Sequence, residues 1–590
     1  MLLRSFYVTS PEIENITNMK STVLSYVLAS VFLLAACAPD PVHQDVMMDG
    51  TYEGLGEGRG GIIKVAIDVK EHAIEAARVL AQSESSFAQS SIDDMIGRVI
   101  KAQSADVDAI SGATLTSEGV KSAMKMAIDK AYGRFSGYET FADTQTDVVV
   151  IGAGGAGLSA AIEAGVQGAG VIVLEKRDFI GGNTNSSTGG INGAETSFQK
   201  ALGIEDSKEL FYDDIMKGGH YLNDPALVRT LVENAPATLD WIARMGADLT
   251  DVGLMGGSSV KRTHRPKGGL AIGPHLIKVL YDEAMAGGVD IRTGNTVQDI
   301  LMSSDGKACG VRVSQNEGPD YTIKAKAVII ATGGFGANLS MVTSYCPELA
   351  GFSTVNHKGA TGDAFSWVKK FGAELYQMDK IQTHPTVDVK NSLMITEAVR
   401  GNGAILLNRD GKRFVNEMDT RDVVSEAILS QEKGTAFLFF DQAVRESLSA
   451  IDNYDKLGLL VQSPDLAGIA SKTGMDEAAL SQSLQRYNGF QSCGEDTDYH
   501  RSEVQMPVPL ARAPYYAVEV KPAIHHTMGG IHIDSMTRVL DEEGQPVEGL
   551  FACGEVTGGV HGGNRLGGNG VADIVVFGRI AGREASKEMR

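Results

Sequence analysis

Three features of the sequence predict an α/β fold whose main domain is Rossmann-like. Residues 147–151 (DVVVI) form a nearly continuous apolar run. Gly152-Ala153-Gly154-Gly155-Ala156-Gly157 follows at once, and residues 158–166 read as a helix. A second apolar run, 171–174, ends on the acid Glu175. A strand buried on both faces of a parallel sheet has this continuous apolar character. Strand, G-x-G-x-x-G, helix, strand and terminal acid together make the dinucleotide fingerprint: glycines let backbone approach a pyrophosphate, the helix N-terminus favours its charge, and the acid meets the ribose hydroxyls. This full context outweighs a purely structural glycine turn.

At 590 residues the chain is too long for one ordinary domain. Its 69 glycines exceed average usage, as nucleotide-binding turns require. Lys plus Arg number 53 and Asp plus Glu 74, a net −21, which argues against a nucleic-acid partner. An anionic substrate stays open, because a few inward-facing cations can reverse the local field. The five cysteines, Cys37, Cys309, Cys346, Cys493 and Cys553, form no C-x-x-C pair and no C-x-x-C-H. The expectation is therefore no c-type haem, no iron–sulfur cluster and no metal.

Lys20 precedes an apolar run over residues 23–36, which ends in Leu-Ala-Ala before Cys37. A basic residue, a short apolar core and a small-residue cleavage site describe an export signal over residues 1–36. Cys37 resembles a bacterial lipobox cysteine, which implies lipidation there and a membrane anchor outside the cytoplasm. The alternative is an uncleaved signal or a single-pass anchor.

A small α+β domain is expected over residues 48–135. Glycines in 54–61 are read as a turn, 62–69 alternate like a strand, and 120–131 read as a helix. Between them stands Ser111-Gly112-Ala113-Thr114. It resembles the flavinylation motif of the FMN-binding domains of sodium-pumping quinone reductases. That resemblance implies FMN esterified through its phosphate to Thr114 by a flavin transferase. The plain alternative is a helix cap at Thr116 or Ser117.

Further motifs follow the fingerprint: Gly181-Gly182-Asn183-Thr184, the Gly189-Gly190 turn, Thr332-Gly333-Gly334-Phe335-Gly336 after an apolar run, Gly554-Glu555 and Asn569-Gly570. Together they resemble the FAD domain of the fumarate reductase and succinate dehydrogenase flavoproteins. The resemblance implies FAD held non-covalently by a domain in two parts, 143–378 and 527–590, around an inserted α+β clamp domain, 379–526. It carries cofactor contacts to Gly152, Ala153, Gly154, Gly157, Glu175, Gly182, Asn183, Gly190, Thr332, Gly333, Asp363, His526, Glu555 and Asn569.

The inserted segment holds His384-Pro385-Thr386, Met394-Ile395-Thr396-Glu397 with Arg400, and Thr420-Arg421-Asp422; His525-His526 closes it and Asn564-Arg565 lies beyond. These stretches resemble soluble periplasmic fumarate reductases, with the small N-terminal domain in place of their haem domain, an arrangement shared by urocanate and acrylate reductases. The resemblance implies that Arg565 and His525 hold one substrate carboxylate and His384 and Thr396 the other. Met394 presses on the double bond, Arg421 delivers a proton, and Glu397 and Arg400 resupply it. Singly, each residue has a plainer reading: a helix-face ion pair for Glu397 and Arg400, a surface charge for Arg421, a loop residue for His384.

The expected reaction is reduction of the C=C bond of a small unsaturated carboxylate, fumarate first, with urocanate and acrylate or methacrylate behind it. A non-catalytic, lipid-anchored FMN electron carrier is the alternative of another class. Electrons are expected from a membrane quinol dehydrogenase or another external donor.

Overall fold

The computed structural model describes residues 46–58, 62–82, 89–110, 113–134, 140–316 and 318–589. The signal at 1–36, Cys37, Ser111 and Gly112 lie outside the described residues, as does the side chain of Thr114.

The N-terminal domain is a three-stranded antiparallel sheet of Gly50–Glu57, Ile62–Lys70 and Ala73–Ala81. Helices Gln89–Ala102 and Thr114–Ala131 pack against it. Ile63, Val65, Ile67, Val120, Ala123, Met124 and Ala127 form its buried core. Gly54 and Gly56 lie in a strand and not in a turn, contrary to the sequence reading. A Cβ on Gly54 would come within 1.9 Å of the Ala123 carbonyl, and one on Gly56 within 2.1 Å of the Gly119 carbonyl. These glycines serve close helix–strand packing. The helix also starts earlier than read, at Thr114, so Thr116 and Ser117 sit in its first turn and do not cap it.

The main domain carries an eight-stranded sheet. Its parallel heart pairs Tyr321–Ile330 with Thr144–Ile151, Thr144–Ile151 with Val171–Leu174, and that strand with Asp290–Arg292. Pro546–Ala552 adds in parallel on the far side of Tyr321–Ile330, returning the chain's end to the sheet. Val148, Val149 and Val150 are wholly buried, each contributing about 1.5–3 kcal/mol by leaving water. The fingerprint helix Gly155–Val166 packs on the C-terminal helix Asn569–Ala585. Gly578 and Gly582 permit that contact, since a Cβ would meet the Ala156 or Ala160 carbonyl at 2.5 or 2.1 Å.

Between these parts stands a second antiparallel sheet, ordered Ile381–Asp388, Tyr515–Thr527, Ala436–Asp441 and Ile405–Leu407. It has its own core, running in sequence from Ile395 to Val520. Among the described residues no helix is long and apolar enough to cross a membrane.

Candidate active site

The main domain and the inserted sheet face each other across one cavity. A second, adjoining cavity follows the fingerprint and is lined by Gly152, Gly154, Glu175, Gly182, Asn183, Thr332, Gly333 and Asp363. Gly152 has φ +106°, and a Cβ there would lie 2.4 Å from the Ala331 carbonyl. Gly157 is tighter still: a Cβ there would lie 1.9 Å from the Gly152 carbonyl. By contrast a Cβ on Gly154 would meet nothing closer than the Gly181 carbonyl at 3.8 Å. Two glycines thus close the turn and the third leaves room for a phosphate, as a dinucleotide requires.

The Glu175 carboxylate accepts from the Ala153 N–H at 3.1 Å and the Arg177 N–H at 2.9 Å. Burial pushes its pKa up against the pull of these two donors. The Ala153 N–H is therefore committed to Glu175. Asp363 is tied to Lys176 Nζ at 2.7 Å. The Thr332 hydroxyl is buried without a partner among the described residues. These groups fit the adenosine diphosphate half of FAD.

The larger cavity fits the flavin half. Asn183, Gly190, His526, Glu555, Gly568 and Gly570 line it, so the N-terminus of Asn569–Ala585 opens there. That positive helix end suits the electron-rich edge of a reduced ring system. Asn569 itself lies in the wall, buried, accepting from Asn192 Nδ2 at 2.6 Å. Burial also raises the pKa of Glu555, which accepts from the Thr527 N–H at 3.1 Å.

The cavity brings together every catalytic and substrate residue named from sequence: His384, Met394, Thr396, Glu397, Arg421, His525 and Arg565 all line it, and Arg400 lies directly behind Glu397. Arg421 Nε donates to Glu397 Oε2 at 2.9 Å. The other carboxylate oxygen accepts from the Gly256 N–H at 2.6 Å. Arg400 Nη2 stands 3.8 Å from Glu397, and Arg400 Nη1 donates to the Glu417 carbonyl at 2.6 Å. Glu397 and Arg400 do form an i,i+3 pair, but one that is buried and continues into Arg421. Arg421 is no surface charge, being largely buried, and His384 belongs to a strand.

A bulge explains how His525 joins them. Gln382 pairs with His526 and Thr383 with Ile524, so His525 is the extra, unpaired residue. Such a bulge re-aims a side chain. Its ring lies 5.3 Å from that of His384, and its Nε2 stands 3.0 Å from Arg565 Nη2. A guanidinium only donates, so Nε2 accepts and the proton of His525 sits on Nδ1. That Nδ1 and Arg565 Nε are buried without partners among the described residues.

The field here is cationic. Burial and the neighbouring Arg421 charge lower Arg565 to about 9. Burial lowers Arg400 to about 10. Burial, followed by Arg421, pushes both His384 and His525 well below the usual imidazole range, so both are neutral. Glu397 is pushed up by burial but pulled lower overall by Arg421 and Arg400, and stays ionised. Buried cations that destabilise one another, with donors left unpaired, are complementary to an anion.

Sequence reasoning missed Gln382 and Tyr454. Gln382 Oε1 accepts from Arg421 Nη1 at 3.0 Å, and its Nε2 donates to Asn564 Oδ1 at 2.6 Å and the Arg565 carbonyl at 2.8 Å, tying the two arginines' supports together. The Tyr454 hydroxyl accepts from the Thr396 N–H at 3.0 Å, and burial pushes it up to about 12. The available signal was strand alternation, which puts Gln382 on the face of His384.

Residues 147–571 match the FAD binding domain family and residues 58–129 the FMN-binding domain. The fold and cavities thus define a flavoprotein with two flavin domains. The chain belongs to the fumarate reductase and succinate dehydrogenase flavoprotein family. It is 42% identical over 532 residues to the NADH:fumarate oxidoreductase of Klebsiella pneumoniae (strain 342), covering 90% of this chain but 57% of that protein. It is 49% identical over 441 residues to a fumarate reductase (cytochrome) of Shewanella frigidimarina, covering 75% of this chain and 77% of that one. It is 33% identical over 592 residues to the urocanate reductase of Eggerthella lenta, covering 95% and 97%. Among solved structures it resembles the open conformation of a flavocytochrome c3 fumarate reductase, with a TM-score of 0.64, 42% identity, and coverage of 76% of this chain and 79% of that one.

Proposed function

We propose that this protein reduces the C=C bond of a small unsaturated dicarboxylate, fumarate to succinate being the leading reaction. The observation that carries the reading is the cationic wall: Arg421 and Arg565 face one buried cavity, flanked by neutral His384 and His525. FAD, when bound, supplies a hydride from its N5, and FMN supplies the electrons that restore it.

The remaining work falls to the protein. Arg565 and His525 hold one carboxylate, and His384 and Thr396 the other. The alkene gains a hydride at one carbon and a proton at the other, so its π bond is replaced by two C–H bonds. Negative charge developing on the substrate passes into the carboxylate that the buried donors hold. Met394 presses the double bond out of plane. Arg421 gives the proton. An arginine is a weak acid with a pKa above ~12, but a carbanion is a far stronger base. Glu397, 2.9 Å away, returns a proton to Arg421, and Arg400 passes one to Glu397 in turn. The inserted domain excludes water while this happens.

A second reading, urocanate reduction, is favoured by similarity along the chain's whole length to the Eggerthella lenta protein. Covalent FMN at Thr114, placed by a flavin transferase, and a lipid anchor at Cys37 outside the cytoplasm complete the proposal. Electrons come from a membrane quinol dehydrogenase or another external carrier. The test is anaerobic oxidation of reduced viologen with fumarate, urocanate, acrylate and methacrylate in turn. Preference for fumarate is the expected outcome; preference for urocanate or a monocarboxylate would overturn the double carboxylate clamp.

A further inference from the structure

The small N-terminal domain touches both ends of the flavin-binding region. At the nucleotide end, Arg177 lies two residues beyond Glu175 with its side chain 7% exposed. Its Nε donates to the Glu57 carboxylate at 2.7 Å and its Nη2 to the Gly58 carbonyl at 3.4 Å. At the other end, Ala113 and Thr116, on either side of Thr114, line the large cavity beside Asn183 and Thr184. The two contacts belong to one packed unit. Gly119, in the helix that Thr114 opens, packs directly on Gly58: a Cβ there would lie 2.6 Å from the Gly58 nitrogen.

Contacts between domains of one chain ordinarily permit relative motion unless something anchors them. A buried guanidinium is such an anchor. Among the described residues Glu57 is the one carboxylate within ion-pair distance of the Arg177 guanidinium, and removing it would leave a buried cation without its partner.

We propose that the N-terminal domain is a docked carrier and not a swinging one, latched by Glu57 to Arg177 so that the segment around Thr114 forms part of the wall of the flavin cavity. The electron-transfer half of this inference rests on FMN being carried at Thr114; the docking half does not. With the domain docked, the two electrons and two protons lost by reduced FMN are those gained by FAD, and no third reactant intervenes.

The test is hydrogen–deuterium exchange on the full chain, comparing wild type with Glu57→Arg and Glu57→Gln. Glu57→Arg should speed exchange at least tenfold at residues 113–119 and 176–187. Residues 63–69, the core strand of the small domain, should stay protected. Glu57→Gln should give a smaller rise in the same segments. In flavinylated protein, stopped-flow reduction at the FMN should show FAD reduction slowed at least tenfold in Glu57→Arg. Should the charge reversal also expose residues 63–69, the domain has unfolded and Glu57→Gln decides. Wild-type exchange at 113–119 in Glu57→Gln and in a folded Glu57→Arg would overturn the latch. The exchange readout does not depend on the substrate, so a failed fumarate assignment leaves it standing.

Discussion

The flavin wall, which runs along both adjoining cavities, and the clamp wall that faces it are built by opposite means. The flavin wall is mostly backbone: glycines at Gly152, Gly154 and Gly157, the start of Asn569–Ala585, and acids whose pKa values burial raises. The clamp wall is mostly side chains, with Arg421, Arg400 and Glu397 buried in contact and Arg565 facing them. Backbone can hold a large ligand of fixed shape without contributing chemistry. Buried charges are costly to hold, and here they are retained where a substrate's charge and a proton are handled. Substitutions in the first wall should therefore cost cofactor, and those in the second should cost turnover with the cofactor kept.

The largest expected effect tests the clamp side. Arg421→Ala should lower kcat by about 10⁴-fold, the upper range for losing a general acid. FAD content should be unchanged, because Arg421 bonds Glu397 and Gln382 and none of the fingerprint residues. Viologen oxidation and flavin absorbance read the two quantities separately. An Arg421→Ala protein with wild-type kcat would remove the acid from the clamp wall and erase the contrast.

Gly154→Val tests the other side with a smaller effect. Gly154 has φ −78° and ψ −176°, conformations open to any residue, and free space around it. The fold should survive. The added methyls occupy room the pyrophosphate needs, and overpacking of this kind costs about 1–3 kcal/mol, so FAD affinity should fall about 10- to 100-fold. Turnover per bound FAD should stay near wild type. A fall in turnover per bound FAD would show that the two walls are not separable.

The same contrast governs what the sequence discloses. The flavin wall was legible because its logic is local: strand, glycines, helix and acid lie within residues 147–175. The clamp residues were found through resemblance, since nothing near Arg421 in sequence marks it as buried. Its partners lie 24 and 39 positions away, at Glu397 and Gln382. Gln382 went unseen because a glutamine carries no charge and no motif. The bulge that turns His525 inward depends on pairing between strands well over a hundred residues apart, which no local pattern states. Gly54 and Gly56 were misread for the converse reason. Glycine signals a turn locally, but here it answers a helix contributed by residues 114–131.

The smallest effect sharpens the electrostatics of the clamp wall. Arg565 is lowered to about 9 by burial and by Arg421, so it is charged below that pH and neutral above it. Carboxylate binding needs the charged form. Since kcat/KM reports ionisations of the free enzyme, it should fall above pH about 9, approaching tenfold per unit. Glu397 predicts no matching loss on the acid side within the ordinary range. Its pKa lies below 4.5, so it stays ionised as pH falls to about 5. The kcat profile should bend at higher pH than that of kcat/KM, because a bound dicarboxylate stabilises the Arg565 charge. A kcat/KM that stays flat to pH 10.5 would mean that the free site already holds an anion against Arg565, and that the cationic wall is balanced before substrate arrives.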